Sequence, residues 1–137
     1  MTREDVLRRL AAAPERLSRF ASAAGPPPEG EWGPREVARH LSTVERVVWH
    51  ARLDRLAVAE QPRWTYEEPG VGADDDRPLE AIVAGFAAER RATLDRLAAL
   101  DDAGWARTGV HATFGVLDVE GLCRLAADHD DEHIIWP

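Results

Sequence analysis

Apolar residues recur along most of the chain at steps of three and four, the spacing of one face of an α-helix. This spacing predicts a first helix from about Thr2 to Ala24. A second helix should begin at Pro34, because proline suits the first helical position, and continue to about Glu60, just before Pro62. The inward row of the second helix is Val37, Leu41, Val44, Val48 and Ala51.

The second half of the chain predicts two further helices. The third begins at Pro78, and its inward row is interrupted by Arg90. The last is capped by Asp118 and runs through Trp136. The apolar positions of the third helix are Leu79, Ile82, Phe86, Leu94 and Leu97.

Two long connections, residues 61–77 and 101–116, contain glycine and proline and are predicted to be loops. No alternating apolar pattern bounded by hairpin turns predicts a strand. The fold class is therefore predicted to be all-α, a four-helix bundle with long connecting loops. With 137 residues and 45% hydrophobic content, the chain suffices for one core and one domain, residues 1–137.

Charge narrows the possible partners and the compartment. The chain has 25 acidic and 17 basic residues and a formal charge of -8, so neither nucleic acid nor an anionic membrane is expected to bind it. The single cysteine, Cys123, cannot form an internal disulfide and is interpreted as a small packing residue. No signal pattern or membrane-length apolar run is visible, and a cytoplasmic location is expected.

The histidines carry the candidate chemistry. In the last helix, His129 and His133 continue the row of Leu122, Leu125 and Ala126, and their spacing of four places both rings on one face. In the second helix, His40 falls in a row of four residues that should point inward. Those residues are Val37, Leu41, Val44 and Val47.

Three buried imidazoles predict one divalent metal ion, because a single ion can bind all three of their nitrogens. Each histidine taken alone also fits an ordinary hydrogen-bonded core residue. His50 is expected at the edge of the core. His111 either lines the open side of the metal site or is a surface-loop residue.

Two segments extend the pattern. The first, Trp32 to Leu41, reads W-G-P-R-E-V-A-R-H-L and is followed by Glu45; the second covers residues 115–134. The combination of W-x-x-x-E-x-x-x-H-L with a distant H-x-x-x-H resembles the DinB-like metalloenzyme superfamily, which includes S-transferases of low-molecular-weight thiols and maleylpyruvate isomerases. The resemblance implies a four-helix bundle, usually a homodimer, with zinc, nickel or iron on the three histidines.

Three protein ligands leave positions on an ion open, which is typical of a catalytic site. Such an ion would lower the pKa of a bound thiol or of water. The resemblance favours a small-thiol-dependent S-transferase or isomerase acting on a small molecule. A metal-dependent hydrolase, a non-catalytic metal- or ligand-binding stress protein, and histidines that only stabilise the fold remain alternatives.

Several charged residues are candidates for supporting roles. Glu36 lies one turn before His40 and could accept its free N–H, while Asp130 and Glu132 flank the other two histidines. Arg90 could bind a carboxylate or phosphate of the substrate, pair with a carboxylate of the protein, or extend to the surface. Solvated helix carboxylates are the alternative for the acidic residues. We also expect the loops around Trp64 and His111 to form a cleft leading to the site.

Overall fold

The computed structural model describes residues 1–135, and most of them are helical. The helices are α1 (Arg3–Ala23), α2 (Pro34–Val44), a π-helical segment (Glu45–His50), α3 (Ala51–Val58), α4 (Leu79–Ala98), the short α5 (Asp102–Trp105) and α6 (Val119–His133). The segment from α2 to α3 forms one continuous helical rod, so the long helices build the predicted four-helix bundle. The last helix was predicted to run through Trp136 but ends at His133; Trp136 itself lies outside the described residues.

The helix starts follow the signals in the sequence. Thr2 and Asp5 form a reciprocal capping box at the start of α1. The Asp118 side chain accepts a hydrogen bond from the backbone N–H of Gly121 at 2.7 Å, as predicted for the start of α6. α1 packs against α4 and α6, and α2 packs against α4. Apolar residues from these faces form two core clusters, and one of them joins α1, α2 and α4 with Ile134, directly after the end of α6.

The π-helical segment corrects the predicted face of the second helix. A π turn contains about one residue more than an α turn, so the residues that follow it are rotated around the helix axis. Val47 is 46% exposed, and Ala51 also faces solvent, although both were expected to point inward. Trp49 and Arg52 are buried in their place.

A small sheet lies within the two connections that were predicted to be loops. Its strands are β1 (Arg63–Trp64), β2 (Thr108–His111) and β3 (Gly115–Asp118), in the order β1-β2-β3. β1 runs parallel to β2, and β2 pairs antiparallel with β3 from Thr108 opposite Asp118 to His111 opposite Gly115. The absence of strands was a wrong prediction, because segments of two to four residues are too short to display a twofold alternation.

Gly109 explains why β1 and β2 can meet. A Cβ atom at this position would lie 2.4 Å from the Trp64 ring, so only glycine admits the indole across the strand. The sheet therefore ties the two connections together on one side of the bundle.

Two further observations concern the rest of the described chain. No helix within residues 1–135 has the length and apolar character that a membrane span requires. Cys123 is buried, and burial raises the pKa of its thiol to about 12, as expected for the predicted packing residue.

Candidate metal centre

The three histidines singled out from the sequence lie together between α2 and α6. His40 comes from α2, and His129 and His133 come from α6. One ring nitrogen from each lies within 4.8 Å of the others, and the Nε2 atoms of His40 and His129 are 3.1 Å apart. Within residues 1–135, this is the group of three whose ligand atoms are close enough to share a metal ion.

A backbone contact fixes the orientation of His40. Its Nδ1 lies 2.5 Å from the carbonyl oxygen of Gly70, which can only accept a hydrogen, so Nδ1 is the donor. In the neutral ring, Nε2 then presents a free lone pair toward His129. The Gly70 carbonyl oxygen therefore takes the place of Glu36, which the sequence suggested as the acceptor of the His40 N–H. The Glu36 carboxylate instead accepts the backbone N–H of Gly33 at 2.9 Å and caps α2.

His129 and His133 are held in the neutral state. Burial, together with the nearby His133, His40 and Arg90, lowers the pKa of His129 to about 3. Burial and the neighbouring His40 also lower the pKa of His133. Neutral imidazole is the form that binds metal ions.

Two nitrogens of the cluster lack hydrogen-bond partners. Among the described residues, His129 Nδ1 and His133 Nε2 are buried and unpaired. Burying unpaired polar atoms is costly, and a divalent ion would bind the lone pairs that this cluster directs inward. The donor set of three clustered imidazoles therefore fits a metal ion.

Aromatic rings hold the histidine rings in place. The ring centroid of Trp32 lies 4.9 Å from that of His40 and 5.7 Å from that of His133. The Trp49 ring stands edge-on to His129 at 6.2 Å. The indoles limit rotation of the imidazoles, which keeps the cluster preorganised.

Arg90 does not line the cavity beside the histidines, and of the alternatives considered for it the structure shows a pairing with carboxylates of the protein. Its guanidinium is 1% exposed and donates to the Glu45 carboxylate at 2.7 and 3.1 Å, and to both Asp130 oxygens at 2.8 Å. It also donates to the Leu10 carbonyl oxygen, and Thr93 donates to Glu45 at 2.6 Å. Asp130 is accordingly a partner of Arg90, and no hydrogen bond joins it to a histidine in the described part of the chain.

Glu45 is the member of this network that the sequence analysis left without a role. It lies four residues after Leu41, in the same inward row as the flanking Val44. Arg90 drew attention because it is a charged residue within an inward-facing apolar row. Glu45 is a second such residue, and two buried residues of opposite charge predict an ion pair.

A cavity of about 270 Å³ opens beside the histidines. The two connections form its outer wall, as expected, and contribute the aromatic rings of Tyr66 and Phe114. His111 is not a surface-loop residue: it lies on β2, is buried, and lines the cavity. Trp64 is buried and does not line the cavity, whereas Glu132 is exposed and lines it.

Comparison with known proteins agrees with the helical-bundle fold. The sequence profile of the DinB superfamily matches residues 1–136, and the chain belongs to this superfamily. The resemblance of the two histidine segments is thereby confirmed. No curated protein sequence matches the chain significantly.

Two solved structures share the fold. One is YfiT from Bacillus subtilis, described as a probable metal-dependent hydrolase with an unusual four-helix bundle topology. YfiT is 20% identical to this chain, with a TM-score of 0.75. The match covers 96% of this chain and 81% of YfiT. The other is TT2238, described as a four-helix bundle protein; it is 30% identical, with 98% and 96% of the two chains covered and a TM-score of 0.65.

Proposed function

We propose that the protein is a metal-dependent enzyme that activates a small thiol for an S-transfer or isomerisation reaction. The observation that carries the proposal is the cluster of His40, His129 and His133, in which two buried nitrogens are unpaired and of which His40 and His129 line a cavity. A bound zinc, nickel or iron ion would supply a Lewis acid that lowers the pKa of the thiol.

The protein's own residues would orient the reactants and exclude water. The Gly70 carbonyl oxygen holds His40 in one tautomer. The apolar side chains Val44, Val48 and Leu125 line the cavity and favour an organic reactant over bulk water. A volume of about 270 Å³ restricts the substrate to a small molecule.

Hydrolysis is a second candidate. It is supported by the description of YfiT as a probable metal-dependent hydrolase. Glu68 and Glu132 line the cavity together with His40 and His129, and both act to raise the pKa of His133. Glu68 accepts a hydrogen bond from the Tyr66 hydroxyl, whereas Glu132 has no hydrogen-bond partner among the described residues and could take a proton from water.

Metal analysis tests the centre. The purified protein should carry about one divalent ion per chain, and His129→Ala should lose it. His50→Ala is the matched control, because His50 is buried outside the cluster and donates from Nε2 to the Glu89 carbonyl oxygen. Full metal content in His129→Ala would overturn the assignment.

A reaction screen then separates the candidate functions. Small thiols are paired with electrophiles, and esters and amides are tested in parallel, each with and without metal. Metal-dependent thiol consumption supports the transferase or isomerase, and metal-dependent cleavage without thiol supports the hydrolase. Metal binding with no turnover would contradict both and favour a non-catalytic binding protein.

A further inference from the structure

Arg52 is a buried cation without an anionic partner. Its side chain is 5% exposed and lies between two indoles, with Cζ 5.7 Å from the Trp49 ring centroid and 5.6 Å from that of Trp64. Its one hydrogen bond within the described residues runs from Nη2 to the Thr65 carbonyl oxygen at 3.0 Å. Burial lowers its pKa, which is the direction expected for a charge that lacks compensation.

His111 supplies a second unpaired donor. Its Nδ1 accepts the backbone N–H groups of Thr113 at 3.0 Å and Phe114 at 3.3 Å. Because Nδ1 is an acceptor, the hydrogen of the neutral ring must be on Nε2. Nε2 has no hydrogen-bond partner within residues 1–135, and the ring lines the cavity.

Arg52 and His111 line the same cavity as His40 and His129. We propose that Arg52 and His111 form a subsite that binds the carboxylate group of a small substrate, with the reacting end of that substrate at the histidine cluster. The inference rests on the proposed function, because it names the substrate class of the same site. Phe114 packs against His111, with ring centroids 4.7 Å apart, and offers an apolar surface to the rest of the molecule.

The number of donors favours a carboxylate over a phosphate. The subsite offers one guanidinium and one neutral imidazole, which suits a single negative charge. The mouth of the cavity carries four carboxylates, which would repel a dianion more strongly than a monoanion. These residues are Glu67, Glu68, Asp128 and Glu132.

The carboxylate of Glu67 is the nearby charge of the protein that would compete with a bound anion for Arg52. Its charge raises the pKa of Arg52, but no ion pair forms between them within 4.0 Å, and Glu67 is exposed. A bound carboxylate would therefore meet Glu67 as a nearby like charge. Removing that charge with Glu67→Gln should strengthen binding of an anion.

Calorimetry with benzoate tests the subsite on the protein as purified. Benzoate should bind at least tenfold more tightly than the neutral isostere benzamide, because only benzoate compensates the buried cation. Arg52→Gln should weaken benzoate binding at least tenfold, and Glu67→Gln should strengthen it. Arg55→Gln is the matched control, because Arg55 is exposed on the same helix and lies outside this cavity.

Metal content measured on the same samples separates the two proposals. Selective benzoate binding that depends on Arg52 supports the subsite, even if no metal is present and the proposed function fails. Equal affinity for benzoate and benzamide, or unchanged affinity in Arg52→Gln at full metal content, overturns it. If Arg52→Gln does not fold, two measurements still test the subsite. Benzoate should bind more tightly than benzamide, and Glu67→Gln should strengthen benzoate binding; failure of both overturns the proposal.

Discussion

Arg90 and Arg52 are both deeply buried, but they differ in the partners that surround them. Arg90 donates to two carboxylates and a backbone carbonyl, and these come from three other parts of the bundle. Arg52 donates to one backbone carbonyl and otherwise contacts the faces of two tryptophans. The histidine cluster lies close to both, since Asp130 directly follows His129 and Arg52 shares a cavity with it.

The difference separates a charge that holds the fold together from a charge that is available to a ligand. A buried cation surrounded by carboxylates is compensated inside the protein, so a substrate would have to displace existing partners. A buried cation without an anion retains part of its desolvation cost until a ligand binds. We therefore expect substitutions at the two arginines to act on different properties, stability for Arg90 and ligand binding for Arg52.

The largest effect is expected for Arg90→Met. Removing the guanidinium leaves Glu45 and Asp130 buried without a cation, which should lower the free energy of unfolding by about 3–5 kcal/mol. Urea denaturation measures this change in the free energy of unfolding. Arg91→Met is the control, because Arg91 is exposed on the same helix. A loss below about 1 kcal/mol would contradict a structural role for this network.

An intermediate effect is expected from pH in the metal-free protein. The pKa of His129 is lowered from 6.5 to about 3, so the unfolded chain binds a proton between these values that the native protein excludes. The contribution of His129 to stability should therefore fall as the pH drops below 6.5, by up to about 1.4 kcal/mol per pH unit.

The difference between wild type and His129→Gln isolates this contribution. Both proteins are unfolded in chelator at pH 7 and pH 5, and groups common to both, such as Asp130, cancel in the comparison. Wild type should lose its stability relative to the variant on acidification. An unchanged difference would show that burial does not hold His129 neutral.

The smallest effect on stability is expected for Arg52→Gln. The variant loses one carbonyl hydrogen bond and the contacts with two indoles, but it also removes an uncompensated buried charge. The free energy of unfolding should change by about 1 kcal/mol or less. Urea denaturation of Arg52→Gln and Arg90→Met under the same conditions compares the two variants. Equal losses in the free energy of unfolding would contradict the different roles assigned to the two arginines.

The sequence by itself determined the elements whose signal repeats over many residues. The starts at Thr2, Pro34 and Asp118 follow from local capping chemistry, and the inward rows follow from helical periodicity. His129 and His133 share a helix face for the same reason, and the paired histidine segments indicated the superfamily. These features depend on neighbours three or four positions apart, which sequence alone defines.

Only the tertiary structure decided what the charged residues and the connections do. The π-helical segment turned Arg52 inward and Val47 outward, against the simple helical period. Arg90 was visible as a break in an apolar row, but its partners Glu45 and Asp130 lie 45 and 40 positions away. The sheet likewise joins residues 63–64 to residues 110–111. Contacts between distant segments depend on how the helices pack, and local sequence patterns do not specify that packing.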